Sequence, residues 1–491
     1  MSWPDWEGPD GRRNAQIAMA AAREMRPLKN DELSRVQPMF APDLDGEQLA
    51  QILAEGSFEL IPASALHPSG IPYAEAFSAA LRYWTMPYRG RTGRMRRFVL
   101  TASHETLGLH PIVAGILELG DEAPFCTWRD DLLGLSVASL LQWIALDPKK
   151  NARLAAKRLR SIRKCLRPTS RGRDMATLSY KEILARRRRI EARSRGRSIG
   201  GSEDGGELLK DRKRLIYGLR LAQGEFALTE IAEGKRELDI LDSDLGAGVR
   251  ALHDIFLPRL HMEATVCGAV PPFAEAYGGK LLTSFLSHPY VIAAPLDSES
   301  ALISWSFDLK RLAQIMPTHG MLCLTTKGLY AGHAALYNRA RAPGRNAPIR
   351  MEHLANTEGT TTTLLSTRTM QLARKVLDAT AEKRVSMIYG TGGAKRHRSI
   401  EAALTLCGVT RRIGLAGIRR PVYGLEFVTN PVEICWAGAD PEWRIEPHQD
   451  PKEFCRRATD LWRSRWVDKA ICRVQDYAVA PSLIRHLKCV A

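Results

Sequence analysis

Residues 269–289 read AVPPFAEAYGGKLLTSFLSHP, and this stretch decides the fold that the sequence predicts. The strand-like run before it, HMEATVCGAV at 261–270, stops at two prolines, because proline cannot continue the hydrogen-bond ladder of a strand. A Gly-Gly-Lys triplet then leads into an apolar pattern that predicts a helix from 280 to 287. A second strand-like run, GMLCLTT at 320–326, follows. The order strand, glycine turn, helix, strand predicts an α/β fold.

The triplet itself, Gly278, Gly279 and Lys280, has two interpretations. A helix N-terminus offers unpaired backbone N–H groups and the positive end of the helix dipole, and glycine lets a phosphate approach the backbone closely. Lys280 can supply further positive charge. The triplet is not a P-loop, because Ala274 and Leu281 occupy positions where that motif needs Gly and Ser or Thr. A plain tight turn is the other interpretation, and it is the more frequent one.

Composition bounds the class of protein. The chain has 491 residues, of which 45% are hydrophobic, enough for two to four domains with a substantial core. The first residues, MSWPDWEGPD, lack the basic and apolar regions of a signal peptide. The longest nearly apolar run, at 134–146, is shorter than the roughly 20 residues of a membrane span. We therefore predict a cytoplasmic protein with no membrane partner.

The cysteines and histidines do not indicate a metal site. The nine cysteines form no CxxC pair and the twelve histidines no HExxH motif. This pattern is typical of a reduced compartment, and it argues against both a disulfide framework and zinc. The metal prediction is therefore none.

Positive charge is concentrated in one segment. The chain has a net charge of +17, and residues 149–220 alone contain 24 Lys and Arg against 7 Asp and Glu, an excess of the same size. The segment reads as an amphipathic helix that Pro168 ends, with Leu154, Leu159, Ile162 and Leu166 at helical spacing and Lys157, Arg158, Arg160, Arg163 and Lys164 on the other faces. A second helix over 175–194, a flexible linker over 194–206 and a helical stretch from 207 to about 245, with Leu238 and Leu241 among its core candidates, follow.

Nucleic acid is the partner that this segment indicates, because clustered arginines neutralise phosphates and release counterions. The alternative is a solvated helical face that is merely basic. The arginine run in the second helix supplies the candidate nucleic-acid-binding residues Arg186, Arg187, Arg188 and Arg189.

A second basic stretch, YRGRTGRMRRF at 88–98, places arginines between two aromatic residues. Glycine-broken arginine with flanking aromatics suits a loop against single strands or a phosphate backbone. A loop that grips acidic neighbours within the protein is equally consistent with it. The candidates here are Arg94, Arg96 and Arg97.

The remaining chain is mixed. Residues 14–85 read mainly helical, and strand-like runs follow at 97–103, 111–119 and 127–134. In a strand the adjacent Arg129 and Asp130 would point to opposite faces.

Part of the chain resembles the GNAT superfamily of acyltransferases. The strand ending in V-x-P, the glycine turn and the Leu-Leu helix resemble the loop whose amides bind the pyrophosphate of coenzyme A. AALYNRA at 334–340 resembles that superfamily's A-x-x-L-Tyr helix, and we predict a short helix there. The resemblance implies acetyl-CoA or another acyl-CoA as cofactor. It further implies cofactor contacts from Gly278, Gly279, Lys280, Asn338 and Arg339.

The resemblance also implies catalytic roles. Tyr337 would protonate the departing thiolate, and Glu263 lies where these acyltransferases sometimes keep their base. Tyr337 as a core aromatic with a hydrogen-bonded hydroxyl is the alternative. Glu358, in the polar stretch NTEGTTT, can be a general base or a turn carboxylate.

A second resemblance covers more of the chain, roughly residues 90–135 and 255–470. TWRDDLLG, LTTKGLYAGHAALYNR, NTEGTTT, RRPVYGLEFVTN and LWRSRW are similar, in this order, to motifs of the DruA family of the Druantia anti-phage defence systems of bacteria. The resemblance implies a defence function, partners among the other defence-system subunits, and candidate chemistry at Arg129 and Asp130. A structural salt bridge is the alternative for each of these two residues.

Together these features predict an α/β (α+β) protein with a GNAT-like mixed sheet, a helical basic insertion and helical N- and C-terminal extensions. The predicted boundaries are 1–88 for a helical region, 89–135 and 251–430 for the two parts of the core, 136–250 for the basic insertion and 431–491 for a helical extension. Three functions remain open: an acyltransferase acting on nucleic acid or a partner, a non-catalytic DNA-sensing adaptor, and, more distantly, a transposition-associated DNA-binding factor.

Overall fold

The computed structural model describes residues 30–81, 95–120, 127–168, 182, 203–293, 306–315, 320–328, 337, 339–357, 421–480 and 482–484, with the backbone alone at 30, 203–209 and 212. The described chain is organised around one seven-stranded sheet with helices on both faces. The helices are α1 (Asn30–Val36), α2 (Gly46–Glu55), α3 (Tyr73–Leu81), α4 (Thr127–Leu132), α5 (Val137–Leu146), α6 (Pro148–Arg163), α7 (Glu203–Ala232), α8 (Ser243–Leu260), α9 (Gly278–Ser284), α10 (Pro289–Ile292), α11 (Leu309–Ile315), α12 (Pro431–Trp436) and α13 (Pro451–Val474).

The sheet is mixed, with strand order β1-β2-β3-β4-β5-β9-β8. Its strands are β1 (Ser57–Pro62), β2 (Met95–His104), β3 (Leu109–Gly120), β4 (His261–Ala269), β5 (Cys323–Lys327), β8 (Glu352–Asn356) and β9 (Pro421–Glu426), and β6 (Arg341–Ala342) and β7 (Ile349–Arg350) pair separately. Neighbouring strands are antiparallel except β4 and β5, which are parallel. The predicted α/β class with a mixed sheet is confirmed.

The parallel pair is short and the two strands then separate. Pairing runs from His261 opposite Cys323 to Ala264 opposite Thr326. At Thr265 the register of β4 against β3 shifts by one residue, which makes Thr265 an extra, bulged residue. Beyond the bulge β4 continues along β3 alone, and β5 continues along β9.

The Gly-Gly-Lys triplet lies in the crossover between these parallel strands. Helix α9 begins at Gly278, two residues earlier than predicted, and ends at Ser284, three residues earlier than predicted. The left-handed backbone conformation belongs to Tyr277, with φ 56°. A Cβ on Gly278 would lie 2.5 Å from the Phe273 carbonyl oxygen and 2.8 Å from the Ala269 Cβ. Gly278 is therefore required because the start of α9 packs directly against the end of β4.

This packing predicts that Gly278→Ala lowers stability, because an added methyl group meets backbone that cannot move without shifting β4. We expect a loss of about 1–3 kcal/mol in the free energy of unfolding, the usual size of an overpacking penalty. Chemical denaturation measures it. Gly246→Ala in α8 is the matched control, since a Cβ there meets nothing closer than an arginine nitrogen at 4.0 Å and alanine favours helix. Equal stability of both variants would contradict the packing argument.

Helices α4 to α8 form an insertion between β3 and β4. Their apolar side chains make one core, in which the predicted residues Leu159, Ile162 and Leu166 are buried. Helices α7 and α8 approach so closely that a Cβ on Gly224 would lie 2.7 Å from the Cα of Gly248. Helix α8 then runs directly into β4, with Leu260 as its last residue and His261 as the first of the strand.

Two predictions about this region were wrong. Residues 127–132 are a helix and not a strand, so Arg129 and Asp130 do not diverge. Leu238 and Leu241, predicted as core, are 40% and 85% exposed because the chain between α7 and α8 turns at the surface. The predicted helix at 175–194 is untested, because all of it except residue 182 lies outside the described residues.

The two faces of the sheet bury different cores. On one face α2, α9 and α13 pack against side chains such as Phe98, Leu117 and Leu324. On the other, α1 and α3 cover Val99 and Ile116, and the insertion covers Cys323. Alternation along each strand produces this division.

The N-terminal region is only partly as predicted. Leu49, Ile52, Leu53, Phe77 and Leu81 are buried on α2 and α3, as the helical pattern indicates. The edge strand β1 lies between these helices, although the region was predicted to be mainly helical. Of the helices that the structure describes, none is both long and apolar enough to cross a bilayer.

Candidate functional site

Helix α6 presents a row of exposed cations. Its sequence PKKNARLAAKRLRSIR begins after Asp147, whose side chain caps the helix by accepting a hydrogen bond from the Lys150 N–H. The exposed cations are Lys149, Lys150, Arg153 and Lys157, with Lys164 just after the helix. Lys150, Arg153 and Lys157 follow one another at steps of three and four residues, which keeps them on one face of the helix, and the row from Lys149 to Lys164 spans about 22 Å.

The row is not neutralised by the described part of the chain. No acidic side chain there forms a salt bridge with Lys149, Lys150, Arg153, Lys157 or Lys164. Two other cations of α6 are paired, because Arg160 and Arg163 bind the two carboxylate oxygens of Glu225 on α7 at 2.6 and 2.9 Å, although Arg160 is itself 53% exposed. Two cations of the helix thus have an acidic partner within the described chain, and the row does not. A shallow groove of about 390 Å³ runs along the first half of the row.

Arg158 corrects the prediction that it lies on the polar face of this helix. It is 7% exposed, and its guanidinium donates to the Cys435 and Ile315 carbonyl oxygens. The side chain also lies over the Phe256 ring at 5.5 Å. Arg158 therefore joins α6 to α8, α11 and α12 and contributes nothing to an external surface.

The second basic stretch is only partly described. Arg97 forms a salt bridge of 2.9 Å with Glu118, which is fully buried, and lies over the Phe77 ring at 5.2 Å. Arg96 lies over the Phe98 ring at 5.4 Å. These contacts match the alternative interpretation, in which the arginines of this stretch bind neighbouring side chains within the protein. Arg94 lies outside the described residues, as do Arg186, Arg187, Arg188 and Arg189.

The predicted cofactor residues converge only in part. Gly278 is buried, and its N–H donates to the Phe273 carbonyl at 2.9 Å, so neither its amide nor its Cα faces an open groove. Lys280 extends over the Trp466 ring, with Nζ 4.1 Å from the ring centre. Burial lowers the pKa of Lys280, and the nearby Arg339, Arg465 and Lys469 lower it further. Arg339 is exposed in a turn; Asn338 lies outside the described residues.

Tyr337 lies against the two separating strands. Its hydroxyl is 3.4 Å from Thr326 Oγ1 and also hydrogen-bonds with Cys267. It therefore links Thr326, in the last parallel pair, to Cys267, which lies on β4 past the point where the two strands stop pairing. The residue is 7% exposed, and burial and the neighbouring Cys267 raise the pKa of its hydroxyl. Burial likewise raises the pKa of the Cys267 thiol to about 12. This is the predicted alternative, a core tyrosine with a hydrogen-bonded hydroxyl.

Glu263 lies on the opposite face of the sheet from Tyr337. It is 2% exposed and forms a salt bridge of 3.2 Å with Lys327 on β5. Beside it His261 hydrogen-bonds with Thr325 at 2.7 Å, and burial lowers the pKa of His261 to about 3. The structure therefore does not bring the two candidate catalytic groups, Tyr337 and Glu263, into one site.

Arg129 and Asp130 form a buried cluster with His253. Arg129 is fully buried and its Nη2 lies 2.8 Å from Asp130 Oδ1, which is 3.3 Å from His253 Nε2. Burial opposes ionisation of Asp130, but His253 and Arg129 outweigh it and lower the pKa of the carboxyl. Burial also opposes protonation of His253, but Asp130 and Asp254 raise its pKa above the usual value. The cluster joins α4 to α8, as the predicted salt-bridge alternative requires.

Some participants were not predicted from the sequence. Lys327, Cys267 and His253 gain their roles only from strand pairing and helix packing, and no local motif marks them. Glu358 lies outside the described residues. Within the described ranges no group of three or more His, Cys, Asp or Glu side chains is placed to hold a metal ion.

Comparison with known proteins does not assign the chain to a family. No family model matches the sequence, and no curated protein or solved structure matches it either.

The buried cluster predicts a pH-dependent effect of His253→Gln. Since the pKa of His253 is raised in the folded state, its protonated form stabilises the fold below about pH 6.5, its ordinary pKa, and the contribution is lost as pH rises through the folded-state value. The substitution should therefore lower the free energy of unfolding more at pH 5.5 than at pH 8.5. Denaturant titrations at the two pH values measure the difference.

The control is the exposed His448→Gln. We expect the same small change at both pH values for this variant. A loss at His253 that is equal at both pH values would show that the imidazole contributes by packing and not by charge.

Proposed function

We propose that this protein is a nucleic-acid-binding component of a bacterial anti-phage defence system of the Druantia type, with DNA as its nucleic-acid partner. The observation that carries the binding function is the unmatched row of cations on α6. Phosphate groups placed along such a row neutralise it and release counterions, which gives sequence-independent affinity. The resemblance to the DruA family supplies the biological setting and the other defence-system subunits as partners.

The division of charge on α6 supports this function over a merely solvated face. Arg160 and Arg163 bind Glu225, whereas no acidic side chain of the described residues pairs with the row. On the solvent side the same helix has a groove lined by Lys149, Lys150, Arg153 and Lys157 with Asp147 as the one acid. An external polyanion is the partner that completes this surface.

The surroundings of Tyr337 favour a DNA-sensing adaptor. A general acid must reach its substrate, whereas this hydroxyl is buried and already bonded to Thr326 and Cys267. Its raised pKa further disfavours proton transfer near neutral pH. Glu263 cannot assist it as a base, because Glu263 lies on the other face of the sheet, where it pairs with Lys327.

One observation favours the second candidate, an acyltransferase that uses acetyl-CoA or another acyl-CoA. The strands β4 and β5 separate after Ala264 and Thr326, and a separation between parallel strands leaves backbone groups that an extended ligand can pair with. Tyr337 and Cys267 line this separation. A transposition-associated DNA-binding factor shares the α6 observation but has no further support of its own.

The α6 row is tested by Lys149→Gln, Lys150→Gln, Arg153→Gln and Lys157→Gln in one variant. We expect the slope of log K against log salt for a DNA duplex to become shallower by roughly 3 to 4, because each lost phosphate contact contributes about 0.9. Fluorescence anisotropy between 50 and 300 mM salt measures it. Glutamine keeps nearly the same helix propensity, so α6 should persist.

The matched control removes four cations elsewhere, in Lys235→Gln, Lys310→Gln, Arg311→Gln and Lys452→Gln. This variant has the same net charge but an intact α6 row, so its salt slope should stay close to that of the wild type. If both variants change the slope equally, binding follows net charge alone and the α6 interface is wrong.

The adaptor function predicts that Tyr337→Phe keeps phage protection close to normal. The change removes one buried hydroxyl and should alter stability by about 1 kcal/mol. A plaque assay in the complete defence operon, at matched protein levels, measures protection. General acid catalysis typically contributes 10²- to 10⁴-fold in rate. Loss of protection by a normally folded Tyr337→Phe protein would therefore favour the acyltransferase.

A further inference from the structure

A second group of cations lies on α13 and the β6–β7 hairpin. Arg465, Lys469 and Arg473 follow one another at four-residue steps, which places them on one face of α13. Arg465 donates to the Arg339 carbonyl oxygen at 3.0 Å. We call the set the α13 cationic surface; its members are Lys280, Arg339, Arg341, Arg350, Arg465, Lys469 and Arg473.

Two stacked aromatic rings support this surface. Tyr277 and Trp466 stack with their centres 5.6 Å apart and an angle of 29° between their planes. Lys280, Lys469 and Arg465 have their charged groups 4.1, 5.3 and 5.6 Å from the centre of the Trp466 ring. Trp466 is only 8% exposed, so the rings are the base on which the cations lie and not a free platform for stacking. Cation–π attraction of this kind holds the charges in place.

The cations gather despite their mutual repulsion. Arg341 and Arg350 lie directly opposite each other in the β6–β7 pair, where like charges are destabilising. Burial lowers the pKa of Arg465, and Arg341, Arg350 and Arg339 lower it further. An acidic residue among these cations would stabilise the fold. Such acids are present about two turns earlier on α13, where Arg456 binds Glu453 and Asp460.

No acid fills that role in the described ranges. Within them, no carboxylate forms a salt bridge with Arg339, Arg341, Arg350, Arg465, Lys469 or Arg473. The arrangement thus repeats what the α6 row shows: these six cations, which are exposed or half-buried, have no acidic partner within the described ranges.

The two cationic surfaces lie on opposite faces of the sheet. Helix α13 packs, with α9, on the face that Leu324 points to. Helix α6 packs on the face that Cys323 points to. Adjacent residues of one strand point in opposite directions, so the whole thickness of the sheet separates the two surfaces. One straight segment of nucleic acid cannot contact both.

We propose that the α13 cationic surface is a second nucleic-acid-binding surface, and that one copy of the protein holds two nucleic-acid segments at once, one on each face of the sheet. The inference rests on the proposed function for its class of partner. Its own basis is the gathering of Arg339, Arg341, Arg350, Arg465, Lys469 and Arg473 near the stacked rings of Tyr277 and Trp466, with no carboxylate of the described ranges in a salt bridge to any of them. The spread of the set from α13 to the β6–β7 hairpin fits an extended chain of phosphates, which presents its charges in a row.

A bridging experiment tests the inference. One DNA duplex is attached to beads and a second, fluorescent duplex is left free, and the protein is added at limiting concentration. We expect the wild-type protein to retain the fluorescent duplex on the beads. The variant Arg465→Gln, Lys469→Gln, Arg473→Gln should retain at least tenfold less of it, while its binding to the bead-bound duplex persists through α6.

Three controls separate the possible causes. Lys235→Gln, Lys310→Gln, Arg311→Gln removes the same charge elsewhere and should bridge as the wild type does. Mass photometry of the bridged complex should give one protein per two duplexes. Unchanged melting temperature of the α13 variant shows that the fold is intact.

The outcomes are distinct for the two proposals. Normal bridging by the α13 variant, or two protein copies in each bridge, overturns the second surface and leaves the α6 interface standing. The four-residue α6 variant lacks the first surface, so the anions that it still binds report on the α13 cationic surface. If this variant retains inorganic tripolyphosphate or polyglutamate but not DNA, the α13 cationic surface has another partner and the inference is overturned. Failure of the wild-type protein to bind a single duplex overturns the proposed function and the inference together.

Discussion

The parallel pairing of β4 and β5 is the constraint on which the rest of the structure depends. Parallel neighbours cannot be joined by a tight turn, so the chain must leave the sheet at Ala269, cross one face and return at Cys323. The crossover begins with α9, and its first turn fits against β4 only because Gly278 has no side chain. At Gly278, the close approach that a glycine permits is therefore a contact between α9 and the end of β4.

Charge in this molecule is sorted by location. Several buried ionic groups are paired, as at Glu263 with Lys327, Glu118 with Arg97 and Asp130 with Arg129. Removing one partner of such a pair generally destabilises strongly, because it leaves an uncompensated charge in the interior. The α6 row and the α13 cations Arg465, Lys469 and Arg473 have no such acidic partner within the described ranges. The contrast supports an external anion as the factor that accounts for both surfaces.

The sequence predicted the parts of this structure that local patterns specify. The apolar spacing around Leu159 and Ile162 identified the buried side of α6, and the prolines before Tyr277 marked the end of a strand. It did not predict that Arg158 is buried and donates to the carbonyl oxygens of Ile315 and Cys435, which belong to two helices distant in sequence. Nor did it separate Tyr337 from Glu263, because the face to which a residue points depends on strand register and on the bulge at Thr265. The partners of Tyr337 and His253 come from strands and helices far away in sequence, so local periodicity contains no information about them.

The junction between α8 and β4 has a mechanical consequence. Leu260 ends the helix and His261 begins the strand, so no linker lies between the insertion and the sheet. The glycine contact between α7 and α8 leaves little room for one helix to slide past the other, and α6 packs on both through Leu159. A displacement of α6 is therefore transmitted through α7 and α8, which pack directly against it, to the first residues of β4. Those residues are the ones that pair with β5, so a displacement of the insertion acts directly on the one parallel ladder of the described sheet.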